Sequence, residues 1–265
     1  MAARLAPGEG AAPLDPITIR QWLWGEGLHS PGTAEHVLAL AEPLAAGPAT
    51  RLLDVAAGLG GAARIIAEAS GAYVSALERD AELARRGREM SIAAGIQRQV
   101  PVSVIDPESF ELRAGAFDGI LGREATYMVQ GKERFLRVLV QSLKPRGRLV
   151  LSEFVLEPAL AQRRELAAWA ALQPHLPSLW SLRQYRDCFL SLGVELHAAE
   201  EMTASYKGAI VEGWEQLLRT MNIKSLPRRQ RLIVAMEAER WGWTIAALDA
   251  GAIRMYRLQA IAGVG

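Results

Sequence analysis

Short apolar runs and amphipathic stretches alternate along most of this chain. The runs at 51–56, 73–78, 100–105, 117–122 and 148–154 have the length of strands. Between them the segments 61–69, 80–94 and 132–143 read as helices. This alternation predicts an α/β fold built on a doubly wound, Rossmann-like sheet. Beyond residue 158 the texture is mostly helical, over 159–171, 182–192, 206–220 and 228–248, with further strands near 194–200 and 254–262. Those two strands bring the mostly parallel sheet to seven, and the helices around them are expected to form a cap. Lys144-Pro145-Arg146-Gly147 predicts a turn, because proline blocks helix continuation and glycine tolerates a positive φ.

The N-terminal region follows a different pattern. Asp15-Pro16 has the form of a helix cap followed by proline in the first turn, and Ile17, Ile19, Trp22, Leu23 and Trp24 supply an apolar face. Ser30-Pro31-Gly32 turns the chain, and Thr33 can cap a helix carrying Val37, Leu38, Leu40 and Leu44. The expected organisation is a flexible tail over 1–14, N-terminal helices with a flap over 15–46, a cofactor-binding core over 47–157, and a helical cap with the last two strands over 158–265.

Composition narrows the function. With 265 residues, half of them hydrophobic, the chain can bury a large core. Its 30 basic and 29 acidic residues nearly cancel, which argues against a nucleic-acid partner. No window is apolar enough to span a membrane, and residues 1–13 do not resemble a signal peptide, so a cytoplasmic protein is expected. The single cysteine, Cys188, excludes an internal disulfide, and His36, His175 and His197 form no metal motif, so no metal is expected.

The chemistry concentrates at the carboxyl ends of the first four strands. Leu52-Leu53-Asp54-Val55-Ala56-Ala57-Gly58-Leu59-Gly60-Gly61 joins an apolar strand to a glycine-bearing turn that opens a helix, where backbone N–H groups can meet a small ligand. The next strand ends in Glu78, 24 residues after Asp54, and an acid at that place can accept both hydroxyls of a ribose. Arg79 follows it. The third strand ends in Ile105-Asp106-Pro107, which can border a flat base, and the fourth in Arg123-Glu124.

Taken together, the turn over Leu53–Gly61, Glu78, Asp106, the Phe117-Asp118 strand and Leu143-Lys144-Pro145-Arg146-Gly147-Arg148-Leu149 resemble the class I S-adenosylmethionine-dependent methyltransferases. The resemblance covers about 50–155. Ala56 departs from it, standing where that family usually has the first glycine of its turn. The spacing of nicotinamide-binding Rossmann enzymes, Gly-x-Gly-x-x-Gly, is absent. Within the class, Trp24-Gly25-Glu26-Gly27-Leu28-His29-Ser30-Pro31-Gly32 resembles the flap of the phosphoethanolamine and small-amine N-methyltransferases, and Arg123-Glu124 and Arg240-Trp241-Gly242 resemble their corresponding segments. The resemblance implies S-adenosylmethionine as cofactor and S-adenosylhomocysteine as product. It places Asp54 and the turn (Ala56, Gly58, Gly60) at the methionine part, Glu78 at the ribose, Asp106 with Pro107 at the adenine, and Arg123 near the cofactor carboxylate, with Arg79 as a further cofactor-binding candidate.

Methyl transfer to an amine needs an in-line acceptor that has lost its proton, and aromatic faces favour the cation that forms. Glu124, Tyr127 and His29 are the candidate catalytic residues, with Trp22, Trp24 and Tyr185 as further aromatics. Each has a second reading: His29 as a fixed point of the flap, Glu124 as a partner of Arg123, and Tyr127 and Tyr185 as core. The two tryptophans stand on different helix faces, so at most one is expected at the pocket. The phosphobase resemblance breaks at Met128, where those enzymes carry a histidine, and at Leu176–Trp180, where their phosphate-binding residues have no equivalent. A small or medium-sized acceptor without a phosphate, more apolar and bound under the cap, is the expectation. Transfer to nitrogen leads, transfer to oxygen or carbon stays open, and a non-catalytic cofactor-binding module is the alternative from another class.

Overall fold

A computed structural model describes residues 15–263, so the expected tail over 1–14 lies outside the described residues. Asp15 caps helix α1 (Pro16–Trp24) by accepting the Thr18 N–H at 2.8 Å, with Pro16 in the first turn. Helix α2 (Ala34–Ala41) starts at a reciprocal cap between Thr33 and His36. The core then alternates β1 (Arg51–Val55), α3 (Gly61–Ser70), β2 (Tyr73–Glu78), α4 (Ala81–Ala93), β3 (Val102–Val104), β4 (Phe117–Arg123), α5 (Lys132–Ser142) and β5 (Leu143–Leu156). After it come α6 (Arg164–Ala171), α7 (Leu182–Ser191), β6 (Val194–Glu201), α8 (Thr203–Thr220), α9 (Arg228–Asp249) and β7 (Ile253–Ala262).

The seven strands form one sheet in the order β3-β2-β1-β4-β5-β7-β6, with β7 antiparallel to both its neighbours and the other pairs parallel. Each face carries its own apolar core. Leu52, Val74 and Leu121 pack on one side with α1, α2 and α3, while Leu53, Ile120 and Leu151 pack on the other with α5 and α7. The strand order reverses between β1 and β4, and ligands of doubly wound sheets bind in the crevice outside that point. Helix α1 packs against α8 and α9, and α6 against α9, which brings the C-terminal helices over the same end of the sheet.

Three elements differ from the sequence pattern. The helix expected over 159–171 divides into a 3-10 turn at Pro158–Leu160 and α6. The strand expected over 100–105 narrows to three residues, bounded by Pro101, which has no N–H for the ladder, and by the Asp106-Pro107 turn. The turn at Lys144–Gly147 is a bulge inside β5: Phe117 pairs with Leu143 and Gly119 already with Arg148. Its positive φ of 62° falls on Arg146. Gly147 is needed for space instead, since a Cβ there would stand 2.8 Å from the Lys144 carbonyl oxygen.

Candidate functional site

A cavity of about 250 Å³ opens at the carboxyl ends of β1, β2 and β4. Its floor is the turn after β1. Ala56, Gly58 and Gly60 take φ values of 63°, 57° and 73°, so three residues in five are left-handed, and only one of them carries a Cβ. The Gly58 N–H donates to Glu78 Oε2 at 2.7 Å, and Glu78 Oε1 accepts the Asp80 N–H at 2.8 Å. This fixes the Glu78 carboxylate at the cavity wall, where burial pushes its pKa up.

The segment over 25–32 covers this turn. Gly61 N–H, at the start of α3, donates to the Gly27 carbonyl at 3.1 Å, so the helix N-terminus expected to face a ligand spends its first donor on the chain itself. The approach is so close that a Cβ on Gly61 would lie 2.2 Å from the Gly27 oxygen. His29 sits over Gly58, and Arg123 Nη2 donates to the Pro31 carbonyl at 2.8 Å. The flap is thus closed on the turn from both ends.

Asp54 is buried and lines the cavity, and its Oδ2 has no hydrogen-bond partner. Burial raises its pKa to about 7, and the neighbouring Glu78 charge adds to the rise while Arg123 opposes it. An unpaired buried carboxylate oxygen on a residue that lines a cavity calls for a donor, preferably a cation. The ammonium of S-adenosylmethionine meets that need, and Glu78 keeps lone pairs for a ribose diol, so this half of the cavity fits the cofactor.

The opposite half is lined by Glu124, Tyr127, Met128, His175, Arg240 and Trp241. Glu124 takes a left-handed φ of 54°, donates its N–H to the Ser152 carbonyl at 2.7 Å, and accepts the Tyr206 hydroxyl at 2.8 Å. Tyr127 packs against Phe154 and Trp169, donates its hydroxyl to Gln173 at 3.2 Å, and is pushed up to about 12 by burial. His29 Nε2 lies 2.6 Å from Arg20 Nη1. A guanidinium has no lone pair, so Nε2 is the acceptor and the imidazole hydrogen sits on Nδ1. Burial, then the Arg20 and Arg240 charges, hold His29 well below the usual imidazole range, so it stays neutral.

Several expected residues stand elsewhere. Arg79, Pro107 and Arg123 line the cavity with Asp54, Ala56, Gly58 and Glu78, but Gly60 and Asp106 do not. Gly60 serves the turn and packs toward Val102, while the exposed Asp106 carboxylate folds back onto the Glu108 N–H and the Ser109 hydroxyl. Neither Trp22 nor Trp24 reaches the cavity: Trp24 packs edge-on to Trp241, and a Cβ on Gly213 of α8 would stand 2.3 Å from its ring. Tyr185 is core, hydrogen-bonded to Thr126 at 2.6 Å. Arg20 was not singled out by sequence, nor was its partner Glu237, because nothing local marks a pair 217 positions apart. Among the described residues, no group of three or more His, Cys, Asp or Glu could hold a metal ion, and no helix is long and apolar enough to cross a membrane.

Comparison with known proteins places the chain in a family. The glycine/sarcosine/dimethylglycine N-methyltransferase of Actinopolyspora halophila is 28% identical over 168 residues, covering 62% of this chain and 29% of that protein. The sterol 24-C-methyltransferase of Eremothecium gossypii is 27% identical over 171 residues, covering 63% of this chain and 45% of that protein. The chain thus spans less than half the length of either relative. In fold it is similar to the Haemonchus contortus phosphoethanolamine N-methyltransferase 2 solved with phosphomonomethylethanolamine and S-adenosylhomocysteine. The TM-score is 0.80 at 18% identity, over 93% of this chain and 57% of that one. Residues 30–199, which contain the turn, Glu78 and Arg123-Glu124, match the family described as a methyltransferase domain, and the chain belongs to that family, whose methyl donor is S-adenosylmethionine.

Proposed function

We propose that this chain transfers the methyl group of S-adenosylmethionine to the nitrogen of a small amine that carries a carboxylate. The observation that carries the acceptor assignment is Arg240. Of the four arginines lining the cavity, Arg20 is held by Glu237, Arg79 donates to the Met128 carbonyl and Arg123 to the Pro31 carbonyl. Arg240 has neither a carboxylate nor a backbone partner among the described residues; it meets the Gln173 side chain at 3.5 Å and lies 5.6 Å from the centre of the Trp241 ring. A guanidinium without a charged partner beside Tyr127 suits a planar anion. The name of the Actinopolyspora halophila relative, whose substrates are amino acids, supports the same class.

The bound donor supplies an electrophilic methyl on a sulfonium. On the cofactor side, Asp54 takes the ammonium, Glu78 with Arg79 the ribose, Ile105 and Pro107 the flank of the base, and Arg123 the carboxylate end. Their task is alignment, which can contribute much of the rate. On the acceptor side, Arg240, itself against the Trp241 ring, holds the anion, and the ring of Tyr127 favours the developing cation.

Of the three catalytic candidates, Glu124 alone has both the chemistry and the freedom to take the amine proton. His29 has its lone pair occupied by Arg20, and Tyr127 is neither acidic enough to ionise nor basic enough to accept. His29 therefore acts as the flap's closure over Gly58. The test is a panel of amines given to the purified protein with labelled donor: glycine, sarcosine and dimethylglycine against phosphoethanolamine and neutral amines. Arg240→Met is expected to raise KM for the accepted carboxylated amine and to leave donor affinity unchanged. Transfer that prefers neutral amines removes the carboxylate assignment.

A further inference from the structure

Behind the cavity wall formed by Ala125 and Tyr127 lies a buried polar cluster that neither donor nor acceptor reaches. Glu153 of β5 is fully buried, and its Oε1 accepts two successive backbone donors, the Ala125 N–H at 2.9 Å and the Thr126 N–H at 3.0 Å. Its Oε2 has no partner. Lys132, the first residue of α5, is 1% exposed, donates to the Ser178 carbonyl, and lies 5.2 Å from the Trp180 ring and 5.7 Å from the Tyr185 ring. Tyr185 in turn meets Thr126 Oγ1. Neither Lys132 nor Glu153 lines the cavity.

Buried opposite charges are a poor source of stability, because desolvation offsets their attraction and apolar residues of similar size do as well or better. What Glu153 holds is more informative. Glu124 is a non-glycine residue at a left-handed φ, a conformation that persists only where the surroundings over-determine it. Three consecutive N–H groups are pinned there: Glu124 to Ser152, then Ala125 and Thr126 to the one oxygen of Glu153. A carboxylate binds such donors more strongly than a neutral acceptor does. Burial pushes the pKa of Glu153 up to about 7, and the charge of Lys132, which makes no direct ion pair with it, opposes that rise.

We infer that Glu153, with the buried charge of Lys132 nearby, is a positioning device for the exit of β4, locking the backbone in the turn that presents Glu124 and Tyr127 to the acceptor. This rests on the acceptor-side role given to Glu124 above. Donor contacts on β1 and β2 lie outside its reach, and Arg123, the donor contact on β4, precedes the pinned amides with its guanidinium fixed on the Pro31 carbonyl, so donor binding depends on the lock far less than turnover does.

The test compares Glu153→Gln with the paired Lys132→Met/Glu153→Leu variant in the full-length chain. Four quantities are read: melting temperature, S-adenosylhomocysteine affinity by calorimetry, amide exchange at 125 and 126, and kcat with an accepted amine. For the paired variant the melting temperature and S-adenosylhomocysteine affinity are expected to stay near wild type, while exchange at both amides rises about tenfold and kcat falls about tenfold or more. Glu153→Gln, which keeps an oxygen acceptor, is expected to fall between the two. Unchanged exchange and kcat in the paired variant overturn the inference. So does a parallel loss of stability, cofactor affinity and kcat in both variants, which marks a structural role only. If the wild type methylates no amine, the proposed function fails, and the exchange rates with the affinity still decide whether the lock exists.

Discussion

Arg20 Nη1 lies 2.6 Å from His29 Nε2 while its Nε and Nη2 hold the two carboxylate oxygens of Glu237 at 2.9 and 2.7 Å. One guanidinium thus ties α1, the flap and α9 together over the turn after β1. Both side chains of the ion pair are nearly buried, at 13% and 7% exposure, so removing one leaves the other charge without compensation. Arg20→Ala is expected to cost about 3 kcal/mol of stability and to weaken S-adenosylhomocysteine binding by loosening His29 from Gly58. Denaturant unfolding and calorimetry check the two effects, and unchanged affinity in a folded variant argues against a closing role.

Asp54 gives the cofactor site a pH dependence of defined sign. Its pKa is raised to about 7 in the folded protein from an ordinary value near 3.8, so between those values the native state binds the extra proton and this group's contribution to stability falls as pH rises. A bound ammonium favours the ionised carboxylate, so donor affinity runs the other way. It is expected to drop about tenfold from pH 8 to pH 6, and Asp54→Asn is expected to bind weakly with little pH dependence. Calorimetry across that range reads both.

Ala56 holds a φ of 63°, where its methyl group is strained and a glycine is not. Ala56→Gly is expected to stabilise the protein by up to about 1 kcal/mol, the relief of strain exceeding the extra chain entropy glycine loses. Cofactor affinity is expected to be retained. A lower midpoint of denaturant unfolding in the variant would show that the methyl packs better than its backbone cost.

Glu124 and Tyr206 form the other testable pair, joined at 2.8 Å between the cavity and α8. Glu124→Gln is expected to lower kcat about a hundredfold with donor affinity unchanged, as removal of a proton acceptor does. Tyr206→Phe keeps the carboxylate but frees it to rotate, so a smaller fall in kcat is expected. Steady-state kinetics beside calorimetry separate these from a binding defect.

Much of this site is written in local sequence. Strands β1, β2 and β4 are apolar runs closed by turn residues, and the acid at the end of β2 stands where the parallel register Val55↔Leu77 brings it beside the turn. What escaped is long-range. Arg20, Glu237, Lys132 and Glu153 are charged residues inside regular elements, and nothing in their periodicity says that each is buried or nearly buried and meets a partner outside its own element. Asp106 shows the converse: an acid at a strand end reads as a ligand contact, yet its own turn offers the Glu108 N–H and the Ser109 hydroxyl first. Trp24 was lost to packing for a similar reason, since the glycine that receives its ring lies on α8.

The most direct test of the proposed activity is mass spectrometry of the amine panel after incubation with a donor labelled in its methyl group. The account expects the labelled methyl on the nitrogen of a carboxylate-bearing amine, with one S-adenosylhomocysteine formed for each transfer. Label on carbon or oxygen, or no transfer to any amine by a protein that binds S-adenosylhomocysteine, would contradict it.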